Sequence, residues 1–139
     1  MQELLKEIEN GRLMNVIRIG KSFTNWSHEL TEYAAFYGQL ECLIYLVDIA
    51  RCPVTQDTFI NAAEKNHKLC LQYLFESCGL DPIYNTDIVT CYAAGNNNLE
   101  CLKCAIEHGC QVSQATINAA LKNNAVDCIN YLKLSFRME

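Results

Sequence analysis

Cys101, Cys104, His108 and Cys110 follow one another at spacings of three, four and two residues. Three thiols and one imidazole are a donor set that suits tetrahedral zinc. On a helix the first three share a face, because positions three, four and seven apart lie one above the other. The same Cys-x-x-Cys spacing also occurs in redox pairs, but the strand-and-helix setting that activates thioredoxin-like thiols is missing around it. A plainer reading competes with both. Cys101 is one of four cysteines, with Cys42, Cys70 and Cys128, that return at equivalent places, and only Cys104 is new, where the other copies have Tyr45, Tyr73 and Tyr131. The expectation is therefore of small apolar core residues, with no bound metal and no cofactor.

The remaining reactive residue types form no catalytic set. Nine cysteines are an odd number, and the chain lacks the loop-rich composition of a disulfide scaffold. His28, His67 and His108 fall in different parts of the chain, without a placed nucleophile beside them. Asn25-Trp26-Ser27 fits the glycosylation triplet, which arises by chance in chains that never meet the transferase. Eleven basic against sixteen acidic residues give a formal charge of -5, which opposes nucleic acid or an anionic membrane as the main partner. Half of the 139 residues are hydrophobic, yet no apolar run approaches the roughly 18 needed to span a bilayer. The start, Met1-Gln2-Glu3-Leu4-Leu5-Lys6-Glu7, lacks the basic flank and apolar centre of a signal peptide. These features point to a cytoplasmic, non-enzymatic chain.

What positions these residues is a repeat. Tyr33-Ala34-Ala35 leads through Gly38 to Leu40-Glu41-Cys42-Leu43, Asn61-Ala62-Ala63 through Asn66 to Leu69-Cys70-Leu71, and Tyr92-Ala93-Ala94 through Asn97 to Leu99-Glu100-Cys101-Leu102. Asn118-Ala119-Ala120 leads through Asn123-Asn124 to Asp127-Cys128-Ile129. The first alanines stand at 34, 62, 93 and 119, in steps of 28, 31 and 26 residues. A period of that size marks stacked units, each too small to bury its own apolar face. Paired alanines suit a close approach of helices, where a larger side chain would overpack. Gly or Asn then provides a left-handed helix stop, and the leucines beyond it recur every three or four residues, as on one helix face. Ser27, Thr55, Thr86 and Ser113 are candidate N-caps of the first helix of each unit. A divergent fifth copy, Glu9-Asn10-Gly11-Arg12-Leu13-Met14, stands in front. The expected organisation is a single all-α domain of about four and a half helix-turn-helix units, near 1–26, 27–54, 55–85, 86–112 and 113–139.

These units resemble ankyrin repeats, and most closely the variant abundant in giant DNA viruses and some protists. There Gly-His-Leu-Glu-Cys-Leu-Lys-Tyr is followed by His-Glu-x-Gly-Cys-Pro-Trp, and here Leu99-Glu100-Cys101-Leu102-Lys103 with Glu107-His108-Gly109-Cys110, and Cys52-Pro53, match that wording. The likeness covers nearly the whole chain. It departs in having no Thr-Pro-Leu-His opening, in Val54 where the variant has Trp, and in steps shorter than about 33 residues.

The resemblance implies an ankyrin-like solenoid that binds a protein on its concave face, through the first helices and the loops before them. Carried onto this sequence, the positions after the alanine pairs are Phe36 and Tyr37, Glu64 and Lys65, Gly95 and Asn96, and Leu121 and Lys122; the loop positions are Trp26 and His28, Gln56, Tyr84 and Asp87, and Ser113. The partner-binding set so implied is Trp26, His28, Phe36, Tyr37, Gln56, Glu64, Lys65, Tyr84, Asp87, Asn96 and Lys122. Trp26, Phe36, Tyr37 and Tyr84 give its first half an aromatic character, the composition of interface hot spots. The chain is expected as a monomer or as a subunit of a larger assembly, and the alternative role is structural: a permanent subunit of an assembly such as a virion, docked by its ends or convex side.

Overall fold

The computed structural model describes residues 1–78 and 87–136, and every regular element among them is helical. The helices come in hairpins: α1 (Gln2–Glu9) with α2 (Leu13–Gly20), α3 (His28–Phe36) with α4 (Leu40–Ile44, continued as a π-helix over Tyr45–Ile49), and α5 (Gln56–Glu64) with α6 (Lys68–Cys78). Then come α7 (Ile88–Gly95) with α8 (Leu99–Glu107) and α9 (Gln114–Lys122) with α10 (Val126–Phe136). None of them is long and apolar enough to cross a membrane.

The turn inside each hairpin is made by one left-handed residue. Gly11, Gly38, Asn66, Asn97 and Asn124 have φ of 67, 68, 62, 56 and 53°, a region that glycine and asparagine enter at least cost. Directly after it the chain closes back on the helix it has left: the N–H of Gln39 donates to Ala34 O at 2.9 Å, that of His67 to Ala62 O at 2.8 Å, and that of Asn98 to Ala93 O at 2.8 Å. This is the six-to-one bond of a Schellman stop. The helix ends where the sequence places the Gly or Asn.

The hairpins stack so that α1, α3, α5, α7 and α9 pack side by side in one layer and α2, α4, α6, α8 and α10 in another. Ala34, Ala35, Ala62, Ala63, Ala93 and Ala94 are wholly buried in the first layer. Between the layers lies a continuous core in which Leu4, Ile8, Leu30, Leu43, Phe59, Leu71, Leu102 and Leu132 lose all contact with solvent. At the far end Leu134 and Phe136 of α10 stay exposed, while Arg137 and Glu139 lie outside the described residues.

Ser27, Thr55 and Ser113 take the N-cap positions of α3, α5 and α9. Ser113 Oγ accepts the Ala115 N–H at 3.1 Å, whereas the Ser27 hydroxyl is buried and makes no capping bond. Thr86 lies outside the described residues, and Asp87 is the N-cap of α7.

Four threonines, absent from the reading of the repeat, turn out to be its buried polar seam. Thr31, Thr58, Thr90 and Thr116 are fully buried. Thr31 Oγ1 lies 2.8 Å from the Pro53 carbonyl and 3.4 Å from Thr58 Oγ1; Thr90 Oγ1 lies 2.7 Å from the Gln111 carbonyl and 3.0 Å from Thr116 Oγ1. Each pair ties a first helix to the loop and helix of the next unit, its buried hydroxyls satisfied by each other and by a loop carbonyl.

Candidate interaction face

All nine cysteines are free, and Cys42, Cys70, Cys101 and Cys128 occupy matching buried places on the second helices. Loss of solvent holds their thiols protonated: Cys42, Cys70 and Cys128 are pushed up from 9.0 to about 11 and Cys101 to about 12. Cys104 and His108 share a helix face as their spacing requires, with Sγ 3.8 Å from Nδ1. The imidazole is already engaged. His108 Nδ1 lies 2.8 Å from the Cys104 carbonyl, and the ring stacks on Phe75 with centroids 5.1 Å apart. Among the described residues no group of three or more His, Cys, Asp and Glu is placed to hold a metal ion.

The surface offers more. Where α1, α3 and α5 meet, a cleft of about 380 Å³ opens between Leu5, Glu29, Glu32, Tyr33, Phe36, Tyr37 and Asn61. Its aromatic wall follows from the repeat. Phe36 and Tyr37 come directly after Ala34-Ala35, so once the alanines are buried the chain must turn these rings outward at the end of α3. The ring of Tyr37 lies 4.9 Å from that of Tyr33 and 4.9 Å from that of Phe36, at interplanar angles of 52° and 66°. Lys65 brings its Nζ to 4.8 Å over the Phe36 ring, a cation–π contact. Contact with the Tyr33 hydroxyl, burial and nearby Glu9 raise the Tyr37 phenol above its ordinary pKa.

The acidic floor is fixed from two units. Glu32 Oε2 pairs with His28 Nδ1 and accepts the Thr55 hydroxyl at 2.9 Å, and the Glu32 carbonyl accepts Asn61 Nδ2 at 3.1 Å. Glu29 has no ion-pair partner among the described residues. An adjoining cleft, between Gln2, Leu5, Lys6, Glu9 and Tyr33, continues the groove onto α1. A separate one of about 320 Å³ lies at α7 and α9, between Cys91, Tyr92, Gly95, Asn96, Ala119 and Asn123.

The implied binding residues divide accordingly. Phe36 and Tyr37 line the first cleft, and His28 and Lys65 hold its Glu32 and Phe36. Asn96 lines the second cleft, and Lys122 is exposed at the end of α9. Glu64 is half-buried, its carbonyl bound by Asn98 Nδ2 at 2.9 Å, and Gln56 is half-buried in the first turn of α5. Asp87 is committed to structure, its carboxylate accepting the Ser113 hydroxyl at 2.5 Å. Tyr84 lies outside the described residues.

Trp26 is set apart from the aromatic cluster it was grouped with. Its ring packs edge-on to Phe23, centroids 5.2 Å apart, and to Tyr45 at 6.5 Å. It also covers Gly20, where an added Cβ would stand 2.9 Å from the indole. The indole is therefore packing for α2 and the π-helical extension of α4. Tyr33, Glu29, Glu32, Asn61 and Leu5, outside the implied set, line the first cleft with Phe36 and Tyr37. A signal existed: the residue directly before each alanine pair is Tyr33, Asn61, Tyr92 or Asn118, and the first three all line clefts. Comparison of the chain with protein-family models and with curated proteins finds no match.

Proposed function

We propose that the chain is an ankyrin-like helical solenoid acting as a non-enzymatic, cytoplasmic protein-binding module, and that it engages its partner on the face formed by α1, α3 and α5. The observation that carries this reading is the cleft in which Phe36, at 36% exposure, and the half-buried Tyr33 and Tyr37 stand open between three successive first helices. Large rings held by neighbouring helices add contact area at little further entropic cost, and such residues dominate interface energetics. The second layer serves as a rigid back. Its repeat thiols Cys42, Cys70, Cys101 and Cys128 are buried and held protonated, and the ring of His108 is stacked on Phe75.

A structural role in a larger assembly is the second reading. Val126, Leu134 and Phe136 on α10 are 51%, 86% and 44% exposed, an apolar end that suits docking by the tip of the stack. Capture of partners from the native source by immobilised chain, identified by mass spectrometry, separates the two. Partners lost on Phe36→Ala, Tyr37→Ala favour the concave face; partners lost only on Leu134→Ser, Phe136→Ser favour end docking.

A further inference from the structure

We propose that the cleft between α1, α3 and α5 is a subsite for a positively charged side chain, a lysine or arginine presented by the partner polypeptide. The inference rests on the reading of this face as the binding face and names the chemistry it selects. Three rings, Tyr33, Phe36 and Tyr37, stand at 52° and 66° to one another, so they form angled walls rather than a stack. The faces of such rings carry negative potential and attract a cation within about 6 Å. Glu29 and Glu32 add two carboxylates, and no lysine or arginine lines the cleft.

Two further observations point the same way. Lys65, which is not part of the lining, already holds its ammonium 4.8 Å over the Phe36 ring, so this cluster draws a cation even from its own chain. Glu32 is drawn toward His28 and the Thr55 hydroxyl, whereas Glu29 is left without an ion-pair partner among the described residues. On the α1 side the groove continues past Lys6 and Glu9, whose opposite charges offset each other. An apolar stem lying along Leu5 and Phe36, with its charged head among the rings and Glu29, would use every feature of the cleft.

The test is a titration of the intact chain, followed by amide shifts, with the tripeptides Gly-Lys-Gly, Gly-Arg-Gly and the neutral Gly-norleucine-Gly at low and high salt. Saturable shifts around Tyr33, Phe36 and Tyr37 from a cationic peptide only, weakened by salt and about two- to fivefold by Glu29→Gln, are expected. Equal shifts from Gly-norleucine-Gly, or cationic binding elsewhere that is indifferent to Glu29→Gln, would overturn it. Captured partners distinguish this inference from the reading beneath it. Binding abolished by Phe36→Ala, Tyr37→Ala yet undiminished by Glu29→Arg removes the cation and keeps the face; binding unaffected by either variant removes both.

Discussion

Asn98 Nδ2 donates to the carbonyl of Ala63 at 2.7 Å and to that of Glu64 at 2.9 Å, crossing from one hairpin to the end of the preceding first helix. The last carbonyls of a helix have no donors of their own. The same slot, directly after the left-handed residue, does the same work earlier in the chain: Gln39 Nε2 reaches the Glu9 carbonyl at 2.9 Å and His67 Nε2 the Phe36 carbonyl at 3.1 Å. In the last hairpin the slot holds Ala125, which has no donor. In the three middle hairpins one polar residue thus precedes the second helix and seals the unit before it.

Replacing Asn98 by Ala should therefore destabilise more than its half-buried position suggests. The Glu64 carbonyl loses its side-chain donor and that of Ala63 keeps only the Asn66 N–H at 3.4 Å, at a cost of about 1 to 3 kcal/mol. Asn96→Ala is the control, because its Nδ2 bonds only its own helix, at Tyr92 O, and exposed changes of that kind fall within about 0.5 kcal/mol. Equal urea midpoints for the two variants would refute the sealing role.

The threonine seam makes a sharper case. Thr90→Val keeps the shape of the side chain and removes the hydroxyl that serves the Gln111 carbonyl at 2.7 Å. Gln111 is exposed, so the loss is that of an ordinary bond, about 0.5 to 1.5 kcal/mol, despite the gain in apolar character. A melting temperature at or above that of the parent chain would show that water replaces the bond.

The parts legible in the sequence are those governed by local chemistry. Gly38, Asn66 and Asn97 stop helices because few residues tolerate their φ, and Ala62 and Ala93 are buried because nothing larger fits two helices in contact. These constraints act within a few residues and repeat. Trp26 was illegible because its partners are chosen by the stack: Gly20 leaves the gap it fills, and Tyr45 comes from the next hairpin. The cleft was half legible for a related reason. Position after the alanine pair identifies Phe36 and Tyr37, whereas Leu5 and Asn61 enter only when α1 and α5 close on α3.

The buried thiols predict a loss of stability in alkali. Burial raises Cys42, Cys70 and Cys128 to about 11 and Cys101 to about 12 from 9.0. A group whose pKa is raised on folding contributes stability that is fully present below its unfolded value and is lost as pH climbs toward its folded value. Urea midpoints should be level up to about pH 8 and fall between about pH 9 and 11. A Cys128→Ala chain should fall less steeply, and maleimide at neutral pH should label Cys42, Cys70 and Cys128 only on unfolding. Fast labelling of the native chain would overturn this.

Trp26 and the Phe36–Tyr37 pair, alike aromatic and close in sequence, should behave in opposite ways. Trp26→Ala opens a gap beside Gly20 and Tyr45 and should destabilise by about 2 kcal/mol or more, with affinity for a captured partner unchanged under folding conditions. Phe36→Ala, Tyr37→Ala removes rings that the core does not enclose, so helical circular dichroism and the melting temperature should stay near those of the parent. Each truncation of an interface hot spot costs about 2 kcal/mol or more, roughly a thirtyfold loss of affinity. The double variant should therefore keep its fold and lose its partner. The reverse pattern, in which Trp26→Ala loses the partner and the double variant loses the fold, would move the binding face to the α2 and α4 side of the stack.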